Sequence, residues 1–387
     1  MTTHPPASPA DYFHKRLLLV DCAAGTCRTE ILPDGALRDG LAEPGGLGAT
    51  LARRHGGLCL AAGPLTGGFA PASGGLGIFG EDGPAAHVPL GHGTALRLCG
   101  FDAAVLVGRA KEPSILRCRY NSATLGTCAP RIDGHTLRTS LLAETENGIA
   151  NILLAVSPRG ADACAAAGLE HGPASQGRLM ARLMGRHGIV AIVLEAEGVL
   201  PRIPVPLKNP LQEAVAAGIG APSLDGWIRE TFQEGHTPPP DLHGKPAACH
   251  HCPSPCLAWL KGDDGWILCA DHEGAAAAFE KCGAEAPILL ARCFRLGLDA
   301  ALCAPLVPEK VPLESVLTDL ATKATPPPAP GGLDLADQTV AMGLALGLCP
   351  RFLRRNPRIS PDLAASLLAP DMAEIFLSSH GSKEGAS

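Results

Sequence analysis

An α+β fold is predicted for this chain, with an N-terminal domain of short β-strands and helices followed by an α-helical C-terminal domain. Three observations predict it. Between residue 15 and about residue 200, short apolar runs of strand composition alternate with Gly- and Pro-containing breaks. From residue 208 onward, stretches of helical length and patterning take over. Between them lies Pro201–Pro206, where three prolines in six residues can hold neither a ladder nor a helix.

The elements follow in order. Residues 1–14 are rich in Pro and Ala and are expected to fray. Leu17–Val20, Ala103–Gly108, Ile152–Val156 and Ile189–Leu194 are strand candidates, and Ala49–Arg54 and Gly177–Met184 are helical stretches between them. Residues 15–205 form the first domain in this reading and 206–378 the second. In the second, Leu211–Gly218, Gly274–Glu280, Ala286–Leu296 and Val340–Leu346 read as helices. Residues 324–332, Ala-Thr-Pro-Pro-Pro-Ala-Pro-Gly-Gly, form a stiff linker within it. Residues 379–387 are polar and expected to be disordered. There is no internal repeat of fixed period.

Composition narrows the class. Of 387 residues, 46% are apolar but only 4% aromatic, so the core must be built from Ala, Leu, Val and Ile. The 46 glycines and 36 prolines predict many turns. Net charge is −6 and no basic stripe is present, which argues against nucleic acid as a partner. The N-terminus lacks a basic region followed by an apolar stretch, and Leu17–Val20 is too short to span a bilayer. With 15 cysteines and no secretory signal, a reduced, cytoplasmic protein of low-potential surroundings is expected. Most of those cysteines, among them Cys59, Cys99, Cys164 and Cys303, sit in apolar text and read as small buried hydrophobes.

Four cysteines stand apart. Cys249, Cys252 and Cys256 fall in the run Cys-His-His-Cys-Pro-Ser-Pro-Cys, and Cys349 lies far downstream in Gly-Leu-Cys-Pro. A [4Fe–4S] cluster needs four thiolates at tetrahedral corners, and a loop with these short gaps supplies three of them. Zinc is the competing reading, because His250 and His251 lie between two of the cysteines and zinc accepts mixed ligands. Unrelated buried cysteines are the third. His243, His250 and His251 crowd the site, and a hydrogen bond from one of them to a cluster sulfur would raise its potential. The glycine runs Gly45-Gly46-Leu47-Gly48 and Gly74-Gly75-Leu76-Gly77 lack the Lys-Ser/Thr of a phosphate loop and read as tight turns. His87 and His92 flank a Pro-Leu-Gly turn; five apart, they could bind a metal, but loop histidines at the surface are the commoner case, and they are left unassigned.

Taken together, several segments resemble the aldehyde:ferredoxin oxidoreductase family. Leu18-Leu19-Val20-Asp21 with the Gly45–Gly48 turn looks like its first strand and glycine turn. Ala61-Ala62-Gly63-Pro64-Leu65-Thr66-Gly67 with Ala70-Pro71 is the most specific match. Gly100–Gly108, Ser157–Asp162, the cysteine run, Leu296-Gly297-Leu298-Asp299 and Leu346-Gly347-Leu348-Cys349 follow in the family's order. The resemblance implies a helical domain carrying a [4Fe–4S] cluster on Cys249, Cys252, Cys256 and Cys349. It also implies a tungsten or molybdenum bis-pterin, with Gly297 and Asp299 near the pterin. The implied reaction takes a small aldehyde to a carboxylate and passes electrons to ferredoxin or another redox protein. A homo-oligomer or a complex with a larger oxidoreductase is also expected.

The departures concentrate on the pterin. Leu47 and Leu76 stand where the family has arginines, and Leu90-Gly91-His92-Gly93 where it has an Asn-containing turn serving magnesium. The glycine- and arginine-rich segment ending the first domain appears as Gln176-Gly177-Arg178-Leu179-Met180. Phe294 and Leu344 replace aspartates that hydrogen-bond the pterin, and the short segment between Asp299 and Cys349 holds no histidine. Leaving a buried polar group without its partner costs about 1–3 kcal/mol at each such position. Glu273, in Asp271-His272-Glu273, matches a Glu-containing active-site motif and is a general acid or base in one reading. In the other, the segment is a helix start, with Asp271 capping the alanine run 275–278. Two functions therefore remain open: an active oxidoreductase, and a pterin-free [4Fe–4S] electron-transfer or accessory protein.

Overall fold

The computed structural model describes residues 9–89, 91–128, 134–145, 150–155, 174–201, 272–296, 300–308, 333–368 and 370–380. Shorter stretches are described at 211, 213, 228, 244–247, 252, 257–262, 265–269 and 316–317. The first half contains β1 (Arg16–Asp21), β2 (Thr26–Ile31), α1 (Asp34–Ala42), α2 (Gly46–His55), β3 (Leu58–Ala61), β4 (Leu76–Phe79), β5 (Ala85–Val88), α3 (His92–Leu98) and β6 (Ala103–Val107). It continues with β7 (Ser114–Arg119), β8 (Ser122–Thr127), α4 (Gly134–Ala143), β9 (Asn151–Leu154), α5 (Ala174–Arg186) and β10 (Ile189–Leu194). The second half adds β11 (Gly244–Ala247), β12 (Leu257–Gly262), β13 (Gly265–Cys269), α6 (His272–Cys282), α7 (Ala286–Leu296) and α8 (Ala300–Cys303). It ends with α9 (Gln338–Leu346), α10 (Pro350–Arg355), α11 (Pro361–Ala365) and α12 (Pro370–His380). The α+β class expected from the sequence is the one observed.

A six-stranded sheet in the order β2-β1-β6-β3-β4-β5 organises the fold. Its central strands are buried on both faces, which is why they read as unbroken apolar runs. Alternation sorts their side chains into two cores. Leu17, Leu19, Cys59, Ala61, Ala103 and Val105 join one core, with α1, α2 and residues from Val340 to Phe376. Leu18, Val20, Leu58, Leu60, Ala104 and Leu106 join the other, with α3, α5 and the second sheet, β8-β7-β10-β9. Helices α9 to α12 thus share the core of a sheet laid down hundreds of residues earlier.

Helices α6 to α8 form a separate core with Ala258 and Leu260 of β12. That region also carries the three-stranded antiparallel sheet β11-β12-β13, strands that the helical reading of residues after 206 did not include. Lys245 and Pro246 in β11 gave no apolar alternation to read. Two further expectations are corrected. Residues 1–14 do not fray throughout, because Tyr12 and Phe13 are buried core residues. His87 and His92 are not surface loop residues but are buried, at 5% and 1% exposure. The expected helix Leu211–Gly218 lies mostly outside the described residues, and so do the linker 324–332 and the tail 379–387 apart from its first two residues. Among the described residues no helix is long and apolar enough to cross a membrane.

Candidate iron–sulfur site

The site is built on the glycine turns of the first half. Helix α2 starts from Gly45 and Gly46, whose φ angles of 80° and 72° lie in the left-handed region that glycine occupies without strain. A Cβ on Gly46 would come within 2.6 Å of the Ala345 backbone, so α2 and α9 meet at their bare backbones. After β3 the chain turns through Gly63-Pro64-Leu65-Thr66-Gly67. The Thr66 hydroxyl accepts a hydrogen bond from the Gly63 N–H at 3.0 Å. From beneath, the fully buried Arg97 donates to the carbonyls of Thr66 (2.8 Å), Pro64 (3.2 Å) and Tyr12 (2.5 Å), with Asp102 at 3.6 Å and the Phe13 ring at 5.4 Å. Burial pulls Arg97 down to about 10, with Asp102 opposing, so it remains a cation at neutral pH. Asp102 in turn accepts from the N–H groups of His14 and Arg16. An uncompensated buried charge is expensive, and here carbonyls, a carboxylate and an aromatic face meet it.

Cys349 is delivered onto this turn. Helix α9 is capped at its start by Asp337, which accepts from the N–H groups of Thr339 and Val340, and it ends at Gly347 with φ of 77°. The chain then docks on the turn: Leu65 N–H donates to the Leu346 carbonyl at 3.0 Å, and Cys349 N–H to the Ala72 carbonyl at 3.1 Å. Cys349 is buried and stands immediately before α10. Burial raises its thiol above the ordinary range. The N–H groups of Phe352 and Arg351 and the charges of Arg351 and Arg355 oppose that rise. The same donors and charges would favour a thiolate bound to iron.

In sequence, the other three cysteines of the expected quartet fall between β11 and β12. Ala247 and Leu257 are paired across the antiparallel ladder of β11 and β12. Cys252, between them in sequence, is buried in the same apolar core as Cys349, together with Leu344, Leu348, Ala70 and Ala72. Two of the four predicted ligands are thus brought into one core, one from each side of the long second half. Cys249 and Cys256 lie outside the described residues, as do His243, His250, His251, Gly297 and Asp299. Glu273 is the second residue of α6, and its side chain is not among those described. The helix begins at His272, the residue after Asp271, in agreement with a helix start there. Among the described residues no group of three or more His, Cys, Asp or Glu could hold a metal ion.

The fold has a solved counterpart. The chain superposes with a TM-score of 0.60 on the active-site complex BamBC of benzoyl coenzyme A reductase, solved with 1,5-dienoyl-CoA. Sequence identity is 15%, over 86% of this chain and 63% of that one, so the chain spans less than two thirds of the reductase chain. The likeness is one of fold. No protein-family model matches the sequence, and no curated protein does.

A pterin does not fit the described face. Leu47 and Leu344, two of the positions where the resemblance puts polar pterin contacts, line a cleft with Phe13, Leu37, Leu41 and Ala345. Its free volume is about 10 Å³, room for a single water molecule. Leu76 is fully buried in β4, in the core on the opposite face of the sheet. His92, in the turn matched to the magnesium site, is already bonded to the carbonyls of Pro89 (2.7 Å) and Ile152 (3.4 Å). These groups offer a polar, anionic cofactor no partner to replace its water.

Proposed function

We propose that this chain is an oxidoreductase-type iron–sulfur protein that passes single electrons through a [4Fe–4S] cluster on Cys249, Cys252, Cys256 and Cys349, without a pterin of its own. One observation carries the reading. The described cysteines of the quartet, Cys252 and Cys349, belong to one core, and Leu47 and Leu344 of that core line a cleft with room for no more than a water molecule. The fold likeness to a reductase active-site complex supports a redox role, and supports a place beside other subunits or beside ferredoxin or a similar carrier.

A second reading keeps the full activity, the oxidation of an aldehyde to a carboxylate with electrons to ferredoxin. It is favoured by the family order of the motifs and by Glu273 at the start of α6. Anaerobic purification with metal and pterin analysis separates the readings. About four iron atoms per chain, with no tungsten, molybdenum or pterin, is the expected result. Stoichiometric tungsten or molybdenum with pterin would restore the aldehyde reading, and zinc without iron would overturn both.

A further inference from the structure

We propose that Thr66 is a positioning residue for the fourth cluster ligand: its hydroxyl locks the Gly63–Thr66 turn that sets where Cys349 can stand. The inference rests on the cluster reading above and adds a residue that touches neither iron nor sulfide. Thr66 is fully buried, and its Oγ1 accepts from the Gly63 N–H at 3.0 Å. That closure shapes a turn with no slack against the cysteine segment. A Cβ on Gly63 would lie 2.1 Å from the Gly347 nitrogen, and a Cβ on Gly347 would lie 2.0 Å from the Thr66 hydroxyl oxygen.

Two hydrogen bonds then flank Gly347. Leu65 N–H holds the Leu346 carbonyl, and the Ala72 carbonyl holds the N–H of Cys349 itself. Ala72 adopts φ of 56°, in the left-handed region that an alanine occupies only when its surroundings fix it. The second turn is tied to the first through Gly67 N–H to the Ser73 carbonyl at 2.9 Å. Arg97 fixes the Thr66 and Pro64 carbonyls from the far side. The backbone of Cys349 is therefore held by one rigid unit, and Thr66 is the side chain that closes it.

A cluster ligand positioned this way resists leaving the iron. Loss of a supporting partner around a metal site commonly costs ten- to a hundredfold in affinity. Thr66→Val keeps the shape and removes the hydroxyl, whereas Thr66→Ser keeps the hydroxyl. The test uses the full chain, reconstituted anaerobically with iron and sulfide. It reads the rate of iron release to a chelator and the electron paramagnetic resonance of the reduced cluster.

Thr66→Val is expected to release iron about tenfold faster with a shifted resonance, and Thr66→Ser to behave as wild type. Ile78→Val, a conservative cut in the core on the other face of the sheet, serves as the stability control. Equal acceleration by Ile78→Val would reduce Thr66 to a merely structural role and overturn the proposal. Should Thr66→Val not fold, Thr66→Ala removes the same hydroxyl without a branched apolar replacement; release and resonance as in wild type would overturn the proposal. A wild-type chain that takes up no cluster would instead sink the cluster reading itself. A wild-type cluster with an unaltered Thr66→Val variant would leave that reading standing and remove only this one.

Discussion

Thr66, Arg97 and His87 show how much of this protein is decided by single buried polar groups. Each is at most 5% exposed, so each must find its partners inside the fold. His87 carries the clearest consequence. Burial lowers it from 6.5 to about 4. The unfolded chain gains this proton as pH falls through about 6.5, while the native chain stays neutral until about pH 4. Stability is therefore full above pH 6.5 and declines as pH falls toward 4, by about 3 kcal/mol at the end of that window. Burial lowers His92 in the same direction. In urea unfolding at pH 7.5 and pH 4.5, His87→Gln should lose about 2–3 kcal/mol less than wild type between the two conditions. An identical loss in both proteins would mean that His87 is already charged in the native state. The sequence placed both histidines beside a Pro-Leu-Gly turn, and local text alone carries no record of the sheet that covers them.

At the scale of elements, legibility followed burial on two faces. β10 (Ile189–Leu194) and α7 (Ala286–Leu296) have the bounds read from the sequence, and β1 and β6 differ from it only at their ends. The runs of β1, β6 and β10 are long because both sides of each strand face hydrocarbon, whereas α7 is read from its helical spacing, with Ala286, Leu289 and Cys293 on one buried face. β2 (Thr-Cys-Arg-Thr-Glu-Ile) and β8 (Ser-Ala-Thr-Leu-Gly-Thr) are edge strands with mostly exposed residues, and their composition is that of a loop. β7 is hard to read because polar Ser114 holds a buried position and apolar Ile115 a half-buried one, which breaks the alternation in its text. Helix α9 offers a test at this scale. Asp337 accepts two N–H groups at its start and also pairs with Arg354 at 2.7 Å. Asp337→Ala should cost about 1–2 kcal/mol in chemical denaturation. Asp337→Asn, which keeps the cap and loses only a surface ion pair, should cost less than about 1 kcal/mol. Equal costs would assign the stabilisation to Arg354 and not to the cap.

For the whole molecule, the long return of the chain is the controlling feature. Val340, Met342, Leu344, Leu348, Phe352, Met372 and Phe376 fill the core on one face of the first sheet. A chain ending at residue 332 removes all of them and exposes Leu17, Leu19 and Val105. Such a chain should lose near-ultraviolet circular dichroism and unfold without a cooperative transition. Cooperative melting with native dichroism would show that the first half folds alone. The same return explains why the cysteine quartet was legible while its setting was not. Spacing within 249–256 is a local property, and Cys349 stood out by its Gly-Leu-Cys-Pro context. Nothing in that context shows that a turn at residues 63–73 holds it.

By itself, the sequence determined the α+β class, the apolar runs of β1, β6 and β10, the spacing of the four cysteines and the apolar residues at Leu47, Leu76 and Leu344. These are properties of residue type and of short spacing, and period-two or period-3.6 patterns expose them directly. Tertiary structure alone decided that Leu47 and Leu344 close one cleft, that Leu76 lies on the other side of the sheet, and that Arg97 is spent on carbonyls. It also decided that Cys349 belongs to the core of the first half. The reason is physical. Which apolar residues meet, and which polar atoms satisfy one another, depends on contacts between segments hundreds of residues apart, and no local pattern encodes those.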